Sequence, residues 1–389
     1  MRLLILDPAL IDFSGHHFGY NQAILEVSRR RGVATRVLAN ANCAPSILEA
    51  LDAVRCFEIG TYLRPAAHEL DIPVVTNYLH GSAFEQNMRS HAPFSFDEED
   101  VVLAHTATYD QILGLLRWYR DLPRPWPRVA IQFMFPPWFR LHSRDRALSI
   151  EMQRRAMAAW MEDGDNRVGF FSDSGVLSRY LENLAGVAVR QLPMPIIFPA
   201  EPARARTPGE PLTFAYLGEP RLEKGFDALV RALVENRGRS ALPLRFVIQT
   251  SGIQDAGFID GLRRALPSDI LVNETVSTER YWQLMGAADA LLLPYEPAAY
   301  ELRSSRILVE AVGLGKPVLV TAGTWLDKEL DHLGGTGVRA ENTPAAVWDG
   351  IRRLAEGYDA LAAGARPAAE PCRMRNSPDA FVAALLGPA

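Results

Sequence analysis

Arg221 and Lys224 stand three positions apart in YLGEPRLEKGF (216–226), between a glycine that ends one apolar run and a glycine that opens the next helical one. A guanidinium is a planar fork for phosphate oxygens, and an ammonium is a mobile point charge. Glycine lets the backbone close on a ligand. Together these residues suit a diphosphate. The same spacing also suits a solvated charged turn, because Arg-Lys turns are common. The chain carries 41 lysines and arginines, yet its only lysines are Lys224, Lys316 and Lys328, so each lysine invites scrutiny.

A second constellation starts at Asp289, in DALLLPYEPAAYELRSSRILVEAVGLGKPVLVT. Ser304 or Ser305 could cap a helix there, whose first turn would offer unbonded amides to an anion. Glu310 follows inside that helix, between Val309 and Ala311. A carboxylate in so apolar a stretch needs a partner, and ligand hydroxyls would serve; an ordinary helix with one surface glutamate is the plainer alternative. Gly313 to Pro317 then stops the helix and launches another strand.

The amino-terminal half is less legible. Ser14, Gly15, His16 and His17 follow the first apolar run. His16 or His17 could donate to a phosphate or to a hydroxyl, or simply bond the local backbone. His105 ends the run VVLAH, and His80 ends a short segment after PVVT. Two Arg-aromatic stretches, LLRWYRDLPRPWPR (115–128) and FMFPPWFR (133–140), would suit a lipid-linked ligand or a membrane surface. They would equally suit a proline-stiffened loop packed on a core.

These residues need elements to hold them, and the alternation of short apolar runs with helical periodicity supplies candidates. LLIL (3–6), TRVLAN, PVVT (73–76), VVLAH (101–105), RVAIQF (128–133) and VGFFS (168–172) read as strands separated by helices. Continuous apolar strands of this kind imply a parallel sheet covered on both faces. The stretch 196–211, rich in Pro, Ala and Arg, reads as an exposed linker. The alternation then restarts with LTFAYLG, PLRFVIQT, DALLLPY and KPVLVT. The expected organisation is a first domain over 1–195, a linker over 196–210, a second domain over 211–374, and a terminal helix in 375–389 that packs back on the first domain. Two doubly wound α/β halves would bind ligands beyond the carboxyl ends of their strands, in a cleft between them.

Composition narrows the functions. With 389 residues, 48% hydrophobic and 22% charged, the chain is globular and long enough for two cores. A formal charge of -5 argues against a nucleic-acid partner. Cys43, Cys56 and Cys372 lack metal spacing and cannot all pair, which fits a reducing compartment. No apolar run is long enough to span a bilayer or to serve as a signal peptide. The expectation is a cytoplasmic protein with room for peripheral contact at the inner membrane face.

LGEPRLEKGFDALVRAL resembles the G-R-x-x-x-K-G-x-x-x-L region of retaining glycosyltransferase family 4, whose members have the two-domain GT-B fold. YWQLMGAADALLLPY through SSRILVEAVGLGKPVLVT resembles that family's donor-sugar and ribose segment, and FFSDSGVLSRYLENLAGVAVRQLPMPI the end of its first domain. The resemblance is strongest over 211–321. It implies two Rossmann-like domains facing a cleft and transfer of a sugar from a UDP- or GDP-sugar to a sugar, lipid-linked or other hydroxyl acceptor. Neither a cofactor nor a metal is implied.

The carry-over makes Arg221 and Lys224 the diphosphate clamp, joined by Gly15, Ser304 and Ser305. Glu310 becomes the ribose ligand, and Thr250, Ser251 and Val276 the walls of the base pocket. Catalytic candidates are His105, His16 and Glu301. The family usually has two glutamates eight positions apart, the first touching the donor sugar. Here Leu302 stands eight before Glu310, and Glu301 is out of register by one. That departure keeps two rivals open, a nucleotide-sugar epimerase and a catalytically silent sugar-nucleotide binder.

Overall fold

The structure, a computed structural model, describes all residues except 14, 63–72, 94, 140–145, 201–208, 240–241, 275 and 388–389. The chain divides into two compact units, Met1–Pro195 with Ser377–Ala389, and Ile196–Asn376.

The first unit is built on seven strands: β1 (Arg2–Asp7), β2 (Ala34–Asn40), β3 (Ala53–Phe57), β4 (Val101–Ala104), β5 (Arg128–Phe133), β6 (Val168–Ser172) and β7 (Val189–Gln191). Their order is β3-β2-β1-β4-β5-β6-β7, and every pairing is parallel. The strands are apolar because helices cover the sheet; β4 is buried along its whole length. The helix Pro378–Leu386 belongs to this unit. Its Phe381, Val382 and Leu385 join the core with Tyr20 and Ile24, and Asp379 pairs with Arg30 at 2.6 Å.

The second unit repeats the plan with six strands: β8 (Leu212–Tyr216), β9 (Leu244–Gln249), β10 (Ile270–Val272), β11 (Ala290–Leu293), β12 (Val318–Thr321) and β13 (Gly337–Ala340). The order is β10-β9-β8-β11-β12-β13, again all parallel. Its core gathers Phe214, Phe246, Leu229, Leu292, Leu319 and Ile351. Ile196 is buried in this unit and donates its amide to Asn376 O at 2.9 Å. Most of the stretch read as a linker, 201–208, lies outside the described residues.

Each sheet has one topological switch point, where the strand order reverses. It falls between β1 and β4 in the first unit and between β8 and β11 in the second. Parallel sheets open a crevice at that place, at the carboxyl ends of the strands.

Two linked expectations need correction. PVVT (73–76) is not a strand but opens the helix Pro73–His91. That helix lies so close to the helix Tyr109–Arg120 that a Cβ on Gly114 would meet Gly81 O at 2.1 Å. Close helix packing overrides the β preference of a four-residue run. His80 therefore ends no strand; it is buried on this helix and paired with Asp110. The stretch before the last helix forms the helix Tyr358–Arg375 straight through Pro367 and Pro371. Burial of Ala365, Ala368 and Cys372 offsets the lost backbone bonds.

The Arg-aromatic stretch at 115–128 packs inward. Trp118 and Tyr119 are buried, and the Trp126 indole donates to Leu122 O at 2.9 Å. Arg140, at the end of the second stretch, lies outside the described residues. No described helix is long and apolar enough to cross a membrane.

Candidate functional site

In the second unit β8 delivers the chain to Gly218, which has φ +95°. A Cβ there would lie 3.0 Å from Lys224 Nζ and 2.9 Å from Ile307 Cδ1. Glycine thus lets the ammonium and the helix Arg306–Gly313 come up to the backbone. The loop continues through Arg221 into the turn Leu222–Lys224 and ends at Gly225, φ +69°. A Cβ on Gly225 would sit 1.7 Å from Pro294 O. The Glu296 amide donates to Glu223 O at 3.0 Å. Two fastenings therefore hold the Arg-Lys loop against the end of β11, across the switch point.

The side chains at this place are mostly cationic. Arg221 Nε lies 3.4 Å from Glu223 Oε1 and 3.9 Å from Glu219 Oε2. Arg303 is buried, its guanidinium 4.5 Å over the Tyr300 ring and 4.0 Å from Glu223 Oε1. Burial first, then the Arg221 charge, pulls the Lys224 ammonium down to about 7, with Glu219 opposing and Arg303 adding to the effect. An ammonium so disfavoured would regain its charge beside a bound anion.

Apart from Gly15, which belongs to the first unit, the other residues predicted for the donor lie on neighbouring segments of the second unit. Ser305 caps the helix Arg306–Gly313, accepting from Leu308 N at 3.4 Å, and Ser304 precedes it, partly buried. Thr250 is buried and donates to Asn273 Oδ1 at 3.3 Å. Ser251 Oγ accepts from Gln249 Nε2 at 2.8 Å, while Gln249 Oε1 accepts from the Gly218 amide at 2.7 Å. Gln249, which no motif in the sequence singles out, thus ties the loops after β8 and β9 together. Val276 is half-buried, and Glu301 is exposed just after the short helix Pro297–Tyr300.

Glu310 is buried, as its apolar neighbours suggested. Its partners are internal: the Tyr281 hydroxyl donates at 2.5 Å and Arg306 Nε at 2.7 Å. The carboxylate that the sequence marks as needing a partner thus has two within the unit.

In the first unit the switch point holds a buried cluster. Asp7 ends β1, His105 follows β4, and His17 is the first residue of the helix His17–Arg30. His17 Nδ1 lies 2.9 Å from Asp7 Oδ1, and His105 Nε2 lies 3.1 Å from Asp7 Oδ2. Asn21 Nδ2 and the Ala9 amide also donate to this carboxylate, at 2.7 and 3.1 Å. Burial alone would raise the Asp7 carboxyl; His17 and then His105 outweigh it and hold the group well below the usual carboxylate range. The outward nitrogens are anchored too, His17 Nε2 by the Tyr62 hydroxyl and His105 Nδ1 by Thr106 Oγ1, each at 3.0 Å. The ligating atoms of the three residues lie within 4.8 Å of one another.

His16 stacks on His17, ring centres 4.2 Å apart. Gly15 has φ +71° and, among the described residues, no atom near its would-be Cβ, so backbone angle is what favours glycine there. Asp7 was not among the expected site residues, although a lone acid closing the run LLILD was a usable signal.

Asp7→Asn is expected to lower stability by about 1–3 kcal/mol, because a hydrogen-bonded buried carboxylate loses part of its network. Asp7's depressed folded value contributes stability above the unfolded carboxyl range, near 4, and loses it as the pH falls through the folded value. The gap between wild type and variant in urea denaturation should therefore shrink in acid. A gap of zero at pH 7 would remove the cluster from the stability of the unit.

No family model matches the sequence, and no curated protein matches it. Solved structures do. A glycosyltransferase from Rickettsia africae ESF-5 superposes with a TM-score of 0.64 at 13% identity, over 99% of this chain and 96% of that one. HepE of Anabaena, solved in complex with UDP, gives 0.64 at 13%, over 100% and 97%. WaaG, a glycosyltransferase involved in lipopolysaccharide biosynthesis, gives 0.61 at 14%, over 98% and 96%. At such identities the likeness is one of fold. The chain has the α/β GT-B fold of these glycosyltransferases, two Rossmann-like doubly wound domains.

Proposed function

We propose that this protein is a glycosyltransferase, moving a sugar from a UDP- or GDP-sugar to an acceptor hydroxyl. The observation that carries the reading is the pairing of Arg221 with Lys224 on a loop fastened at the switch point of the second unit by Gly225 and Pro294. Ligands of open parallel sheets bind at such points, and these two cations match a diphosphate. The UDP bound to HepE is consistent with this.

In the reaction the bond between the sugar and the diphosphate breaks, and negative charge grows on the departing oxygen. Arg221, Lys224 and the helix start at Ser304–Ser305 stabilise that charge without a metal. The loop carrying Thr250 and Ser251, with Val276, forms the wall for the base. Glu310 takes the ribose hydroxyls, exchanging part of its bonding with Tyr281 and Arg306. Glu301 faces the sugar in place of the carboxylate that Leu302 lacks, and the chemistry proceeds with retention as in family 4. The first unit binds the acceptor, with His16 and His105 as its catalytic candidates. A cytoplasmic setting agrees with three buried free cysteines, whose thiols burial pushes up to about 11 or 12.

Hydrogen exchange tests the donor placement. UDP or GDP should protect the loops after β8 and β11, and UMP or GMP should protect them less, having fewer charges for the cations. Equal protection by mono- and diphosphate, or protection confined to residues before 195, would contradict the assignment.

A further inference from the structure

Arg303 is inconspicuous in the sequence because the missing glutamate at Leu302 draws attention one position away. In the structure it stands at the same strand end as Arg221 and Lys224. A single carboxylate oxygen, Glu223 Oε1, lies 3.4 Å from Arg221 Nε and 4.0 Å from Arg303 Nη1. An anionic oxygen is thus already accommodated between two guanidinium groups. Arg303 is held in that attitude by its stack on Tyr300 and by burial, its side chain 7% exposed, so little order remains to be imposed when a ligand arrives.

The local balance of charge leans positive. Arg221, Lys224 and Arg303 are opposed by Glu219 and Glu223. Glu219 is 68% exposed and its charge is screened by solvent. Both arginines act on the Lys224 ammonium to disfavour its charge, which shows that the three cations share one electrostatic environment.

We propose that Arg303 is a third cation for the diphosphate of the nucleotide donor, acting with Arg221 and Lys224. The inference rests on the donor reading above and adds a residue that the Arg-Lys spacing does not contain. Its chemical sense lies in the leaving group. When the sugar C1–O bond to the diphosphate breaks, the electron pair stays on the phosphate oxygen, and the diphosphate leaves with one more negative charge than it had in the donor. The acceptor oxygen forms the new bond to C1 and gives its proton to solvent. A third fixed cation matches the added charge, so Arg303 favours the product diphosphate, and the transition state leading to it, over the intact donor.

Calorimetry with UDP, GDP, UMP and GMP tests this on the full chain. R303M keeps the apolar stem and removes the charge; it should weaken the better-bound diphosphate by about tenfold or more and the monophosphate much less. R303K keeps a charge and should retain most of the affinity. E223Q, which releases both guanidinium groups, should bind the diphosphate at least as well as wild type. Wild-type affinity in R303M, alongside lost affinity in Arg221→Ala, would overturn the role of Arg303 and leave the donor site standing. Wild-type affinity in Arg221→Ala as well would overturn the donor reading itself. R303K as poor as R303M would mean that the stack on Tyr300 matters and the charge does not. If R303M fails to fold, E223Q decides: a tenfold loss there would mean that Glu223 positions Arg303 for structure alone.

Discussion

Lys224→Ala and Arg221→Ala should each lower turnover by roughly 30- to 900-fold, about 2–4 kcal/mol of transition-state stabilisation, while leaving the protein folded. Both side chains project from a loop whose path is set by glycines and backbone bonds. Lys224 should even be a stability liability. Its ammonium is pulled down to about 7 by burial and by Arg221, so between about 7 and the ordinary lysine value near 10.4 the unfolded chain binds more protons than the folded one. Stability then rises with pH across that window, and the penalty is fully present below it. Lys224→Met should be more stable than wild type at pH 6, with the advantage fading toward pH 10.

Diphosphate binding should run the other way. A bound anion restores the ammonium, so binding takes up a proton above pH 7 and weakens as the pH rises. Calorimetry in buffers of different ionisation enthalpy would count that proton. Unchanged turnover in either alanine variant would end the clamp assignment. Proton uptake that persists in Lys224→Met would place the titrating group elsewhere.

Gly225→Ala should strongly destabilise the fold of the second unit. The left-handed φ of +69° costs a residue with a Cβ about 1–2 kcal/mol. Collision with Pro294 O, 1.7 Å from the would-be Cβ, costs more; the loop must lift off β11, for a total of about 3 kcal/mol or more. Gly15→Ala is the matched control. It has a similar φ but open space around it, so only the backbone strain applies. Guanidine denaturation of both variants separates the two contributions. Equal, small losses would mean that the Arg-Lys loop is not fastened to β11 as described.

Much of the proposed donor site was legible because its parts are local. Arg221, Lys224 and Gly225 are neighbours in sequence, and Ser305 and Glu310 share one helical segment. Glu310 was less legible, since its internal partners Tyr281 and Arg306 come from side-chain packing that spacing does not encode. His17 is only one of two candidates in the sequence; the helix that begins at that residue is what turns its imidazole to Asp7. Gln249 and Arg303 gave no signal because each becomes significant only beside residues far along the chain.

Hydrophobic patterning was enough to dictate the parallel α/β plan of both halves, because buried strands must be continuously apolar and their crossovers helical. Residue types were enough to mark the Arg-Lys loop, whose glycines permit backbone angles that other residues resist. Which side chains meet was settled only by the folded chain. In a parallel sheet, neighbouring strands are joined through crossovers, so their aligned carboxyl ends bring together residues remote in sequence: Asp7 with His105, and Arg221 with Arg303. Folding also made PVVT helical, since the approach of Gly81 to Gly114 is a contact between helices that a four-residue window cannot anticipate.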